Sequence, residues 1–107
     1  MKRFITVNVS GQMRENCEPY IQAARYDGDL LVLEAISDNF TDNRLSLLAR
    51  NTLEFLLWRE PNEYNENHHI VLGPDRPTND LIARFMILTL QDVYGASPEN
   101  KFEWSLE

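Results

Sequence analysis

Hydrophobic and polar positions alternate at the start of the chain. Phe4, Thr6 and Asn8 interleave with Ile5, Val7 and Val9, the period of two that marks a half-buried strand. Ser10-Gly11 ends that run, and Gln12 to Glu18 reads as a polar connection with only Met13 and Cys17 apolar. A strong strand run follows further on, Leu30-Leu31-Val32-Leu33-Glu34-Ala35-Ile36, closed by Ser37-Asp38-Asn39. The stretch between them has two readings. Cys17, Tyr20, Ile21 and Ala24 fall at helical spacing, whereas Asp27-Gly28 between Tyr20–Tyr26 and the next run signals a two-residue hairpin loop. Such a loop needs positive φ at its centre, which Asp-Gly supplies, and the turn chemistry favours the hairpin. Pro19 then opens a strand, where its missing N–H does least harm.

Helical spacing takes over afterwards. Leu45, Leu48, Ala49, Thr52, Leu53 and Leu56 form one face, with Arg44, Arg50, Asn51 and Glu54 opposite, which predicts a helix over about 43–60 capped by Thr41 or Asp42 and stopped by Pro61. Arg50 and Glu54, four apart on the polar face, are placed to pair in solvent. A polar loop, 62–67, leads to a short strand at His69–Leu72 ended by Gly73-Pro74. The run Leu81 to Leu90 predicts a second helix over about 78–94, apolar nearly all round, with Gly95 as its C-terminal cap. Phe102-Glu103-Trp104-Ser105 reads as a closing edge strand. The expected class is α+β: a mostly antiparallel sheet packed by two main helices, in the order β-β-β-α-β-α with a final strand, as one domain over 1–107.

Composition narrows the partners. The 107 residues carry 17 acidic against 10 basic side chains, a formal net charge of −7. That sign opposes binding to a phosphate backbone or an anionic lipid surface. No nucleic-acid or membrane partner is therefore expected. One cysteine, Cys17, allows no intrachain disulfide, and with no visible targeting segment or long apolar run the expected location is the cytoplasm.

The search for chemistry yields little. His68-His69 are adjacent on a strand and point to opposite faces, so they cannot chelate one metal; one ring packed and one exposed is the expectation. Cys17 could serve as a nucleophile but reads better as a small half-buried apolar residue. Gly73-Pro74-Asp75-Arg76 precedes a helix and could face an anion, yet Pro74 and Pro77 remove N–H donors, and a capped turn is the better reading. The carboxylates are dispersed, and Tyr20, Phe40, Phe55, Trp58, Tyr64, Phe85 and Trp104 are spread out with few cations interleaved, so they belong to a core or an interface rather than a stacking platform. No cofactor, metal or catalytic set is expected, and the chain does not read as an enzyme.

Several spaced phrases carry a resemblance. Tyr20-Ile21-Gln22, Asp27-Gly28-Asp29-Leu30, Leu33-Glu34-Ala35-Ile36-Ser37-Asp38, Arg44-Leu45, Leu57-Trp58-Arg59-Glu60-Pro61, and Thr89-Leu90-Gln91-Asp92-Val93-Tyr94-Gly95 with Pro98 occur in an order that resembles the bacterial TY-Chap domains. Those are relatives of the type III secretion chaperone fold and of YbjN-like proteins. The resemblance runs from about Tyr20 to the C-terminus. It implies an antiparallel sheet with helices against it, often dimeric, that binds polypeptides without catalysis. The chain departs from the pattern in opening with a strand instead of a helix and in having one strand fewer between its helices, and both departures bear on the family's client-binding groove.

The expected function is a non-catalytic protein-binding module, chaperone-like or an adaptor. The alternative is an acidic inhibitor or immunity-type protein that covers a basic surface of a toxin or nuclease, for which net charge would supply steering. A homodimer is also expected. Leu45, Leu47, Leu48, Leu53, Phe55, Leu56, Leu57 and Trp58 make a stripe too wide for one sheet contact, and Leu57 and Trp58 at its margin are the candidate interface.

Overall fold

A computed structural model describes residues 3–15, 17–37 and 44–106. Its elements are β1 (Arg3–Ser10), β2 (Tyr20–Tyr26), β3 (Leu30–Ala35), α1 (Leu47–Phe55), β4 (His68–Leu72), α2 (Asn79–Asp92) and β5 (Lys101–Leu106). The strands form one antiparallel sheet in the order β4-β3-β2-β1-β5. This is the α+β class and the element order that the sequence pattern predicts. The segment Tyr20–Tyr26 is a strand, so the hairpin reading holds. Its loop has three residues, because Tyr26 pairs with Leu30. Positive φ falls on Gly28 and on Asp29. Asp29 tolerates it because a short acidic side chain visits that region readily, and its carboxylate is held by Arg76 at 3.1 Å.

Register decides which residues meet the helices. Val7 pairs with Ile21 and Ile21 with Ala35, and all three are buried on one face. Leu33 and Ile70 continue that face, and Ile82, Met86 and Leu90 of α2 close over it together with Ala49 and Leu53 of α1. Trp58 stacks on Phe85 with centroids 5.7 Å apart. Its indole N–H donates to Thr89 Oγ1 at 3.3 Å, so the one polar atom of the ring is satisfied inside the core. Tyr94 donates its hydroxyl to the Ile36 carbonyl at 2.6 Å.

The first helix is shorter than the spacing predicts. It starts after Ser46, whose hydroxyl accepts from Ala49 N–H at 3.0 Å; Thr41 and Asp42 lie outside the described residues. It ends well before Pro61. Leu57 adopts φ 69°, Trp58 N–H bonds back to the Leu53 carbonyl, and Leu57 N–H bonds to that of Glu54, which is a Schellman turn. The chain leaves the helix there because Arg59 exchanges two backbone hydrogen bonds with His69, extending the sheet past β4 by a single bridge. The second helix matches its prediction closely. Thr78 caps it, and Gly95 at φ 82° closes it with a bond to the Gln91 carbonyl. Glycine is required at that position: a Cβ would lie 2.5 Å from Arg14 Cβ.

Candidate functional site

The polar connection after β1 knits both helix ends together. Arg14 donates to the Asp92 carbonyl at 3.0 Å and to that of Val93, placing a cation at the C-terminus of α2. Glu15, only 5% exposed, accepts from Ser46 N–H at 2.8 Å and from its hydroxyl at 2.9 Å, placing an anion at the N-terminus of α1. Arg14 Nε bridges to the same carboxylate at 3.2 Å. Burial alone would raise the Glu15 pKa, but the Ser46 and Arg14 contacts outweigh it and hold it below the usual carboxylate value. Cys17, two residues on, is pushed up to about 11 by burial and then by the charge of Glu15. A thiol so rarely ionised at neutral pH is a poor nucleophile, in line with the packing reading.

Both histidines are buried, against the expectation that one ring is exposed. Their opposite facing is as expected: His68 pairs with core residue Ala35, and His69 pairs with Glu34 on the other face. His69 is covered because Arg59 and Asn67 close around it, and its Nδ1 donates to the Asn67 carbonyl at 3.1 Å. His68 borders a recess of about 290 Å³ with Arg50, Glu54 and Glu60. Arg50 is half-buried there, so its side of α1 is not simply a solvated polar face. Among the described residues, Arg50 and Glu54 form no ion pair with each other, contrary to the spacing. Arg76, by contrast, is occupied, donating to the Asp29 and Gly73 carbonyls at 2.8 and 3.1 Å, so the turn before α2 is a capped turn. Among the described residues, no group of three or more His, Cys, Asp or Glu is placed to hold a metal ion, and no helix is long and apolar enough to cross a membrane.

Apolar surface is the prominent feature instead. A groove of about 320 Å³ runs between the end of α1 and the start of α2. Leu33, Ile70 and Leu72 of the sheet form its floor, Leu56 and Leu57 one wall, and Pro77, Leu81, Ile82 and Phe85 the other. The two expected interface residues separate here. Trp58 is 4% exposed and belongs to the core, because the Schellman turn rotates it inward onto Phe85, so it offers no surface to a partner. Leu57 is 80% exposed at the groove wall. A second apolar hollow, of about 260 Å³, lies between α2 and the β1–β5 side of the sheet, where Ile5, Trp104 and Leu106 remain exposed.

The groove residues could not be found from spacing alone. Leu81 reads as one more position of an apolar helix, and its neighbours across the groove come from three other elements. Comparison with known proteins finds no matching family model, no matching curated protein and no matching solved structure.

Proposed function

We propose that this chain is a non-catalytic protein-binding module, chaperone-like or adaptor in character, that takes an apolar segment of another polypeptide into the groove walled by Leu57 and Leu81. One observation carries this reading. Leu57 holds a left-handed conformation that a branched side chain adopts at a cost of about 1–2 kcal/mol, and yet its side chain is 80% exposed. Strain kept at an exposed apolar residue beside a groove with no polar chemistry points to recognition rather than to packing. Kinship with the TY-Chap and YbjN-like proteins belongs to the same proposal and rests on the phrases quoted above.

The acidic-inhibitor alternative draws on net charge. It is the weaker reading, because it rests on net charge alone, whereas the groove reading rests on the exposed Leu57 and the apolar walls beside it.

The test places a photo-crosslinking residue at position 57 and, as a control, at Glu63 in the exposed loop. The expected outcome is a polypeptide adduct at position 57 that Leu81→Asp abolishes in a folded protein. Equal labelling at both positions, or labelling indifferent to Leu81→Asp, would sink the groove as the binding site.

A further inference from the structure

The two edges of the sheet are treated differently. On the β4 side, the backbone of Arg59 pairs with His69 and blunts the edge. On the β5 side, no described residue pairs with the outer edge of Lys101–Leu106. That strand contains neither proline nor glycine and presents a half-buried Phe102, with Trp104 45% exposed. It is also firmly seated. Asn100 donates to the carbonyls of Ser10 and Gln12 at 3.1 and 3.2 Å and accepts from Ser97 N–H at 2.7 Å, locking the start of β5 against the end of β1. An edge that is ordered, unpaired and partly apolar is a template for another strand.

We propose that the edge is completed by a second copy of this chain, β5 against β5 about a two-fold axis at Phe102. The occupant follows from charge complementarity in the sequence of the edge itself. An antiparallel two-fold pairing centred on Phe102 sets Lys101 opposite Glu103 of the second copy, and Glu103 opposite its Lys101. Both pairs lie on the sheet face turned away from the helices. The two Phe102 rings meet on the helix-bearing face, at the rim of the core that each already packs against. Shifting the centre to Glu103 would set two carboxylates face to face, and shifting it to Trp104 would set Glu103 opposite Ser105, so the Phe102 register is the one that sets Lys101 and Glu103 opposite each other. Because the β4 edge is blunted, the pairing closes as a dimer with a ten-stranded sheet and does not propagate. The charge of −7 on each copy opposes association at long range but is screened over about 8 Å at physiological ionic strength. This inference does not depend on the groove at Leu57.

Sedimentation equilibrium at about 0.15 M salt, over a dilution series from about 1 mM to 1 μM, decides the matter. The expected result is a reversible transition between 12.5 kDa and twice that mass. Lys101→Glu sets like charges opposite each other at two places and should weaken association about tenfold or more. The double exchange Lys101→Glu with Glu103→Lys should restore it, because the complementary pairs are rebuilt in reverse. Both side chains are exposed, so the fold is not at risk, and an unchanged circular dichroism spectrum confirms this. A monomer throughout, a dimer indifferent to Lys101→Glu, or a double exchange that fails to recover would each overturn the proposal.

Discussion

The two ends of α1 are built on opposite principles. At its N-terminus, the fastening is polar: Ser46 caps the helix, Glu15 accepts from Ser46 twice, and Arg14 holds Glu15 while reaching the end of α2. At its C-terminus, no basic side chain lies in the last turn to meet the carbonyl end of the helix. A leucine in a conformation suited to glycine makes the turn, and the surface it borders is an apolar groove. A helix of nine residues is too short to stand by itself. It can leave one end strained and open because the other end is fastened and because Leu53 and Trp58 anchor it in the core. The fastened end serves stability, and the open end carries the proposed recognition.

Substitutions can break or sharpen that contrast. Trp58→Ala removes the aromatic that anchors the end of α1 in the core. It forfeits the Phe85 stack and leaves a cavity, so chemical denaturation should show a loss of about 3–5 kcal/mol. Glu15→Ala breaks only the fastened end and should cost about 2 kcal/mol, because Ser46 loses a charged acceptor. The pH dependence has a definite sign. The folded-state pKa of Glu15 is depressed, so its contribution is complete above the unfolded carboxylate value of about 4.3 and is lost as pH falls through the lower folded value. Glu15→Gln should therefore lack that part of the acid limb, and a denaturation series from neutral to acidic pH reads it directly.

Leu57→Gly relaxes the open end. It should stabilise the fold by about 1 kcal/mol, since glycine adopts positive φ freely and the leucine side chain is mostly in solvent. Under the proposed function, the same change lowers crosslinking to a partner, so stability and binding move in opposite directions. Glu54→Ala is the smallest effect. Glu54 is exposed and makes no ion pair with Arg50, so thermal denaturation should shift by no more than a few tenths of a kcal/mol. A loss above ~1.5 kcal/mol would mean that the recess beside Arg50 and His68 is a tighter charged assembly than the geometry indicates.

Local pattern determined most of the elements by itself. Period-two alternation placed β1, positive-φ turn chemistry placed the β2–β3 hairpin, and the apolar run with its Gly95 cap bounded α2 to within a residue or two, because caps and turns act over three or four residues. Tertiary structure decided the rest. That α1 stops at Phe55 follows from Arg59 reaching the β4 edge, a contact invisible in a helical period that runs on to Trp58. Whether Leu57 or Trp58 faces out depended on a single backbone rotation at the end of the helix, which exchanges their directions. Arg14 and Glu15 read as ordinary polar loop residues, since their partners Val93 and Ser46 lie 79 and 31 positions away and only the closed fold brings them together. The apolar groove has the same origin: its walls come from the α1 end, the sheet and α2, and no one of those segments carries the groove in its own sequence.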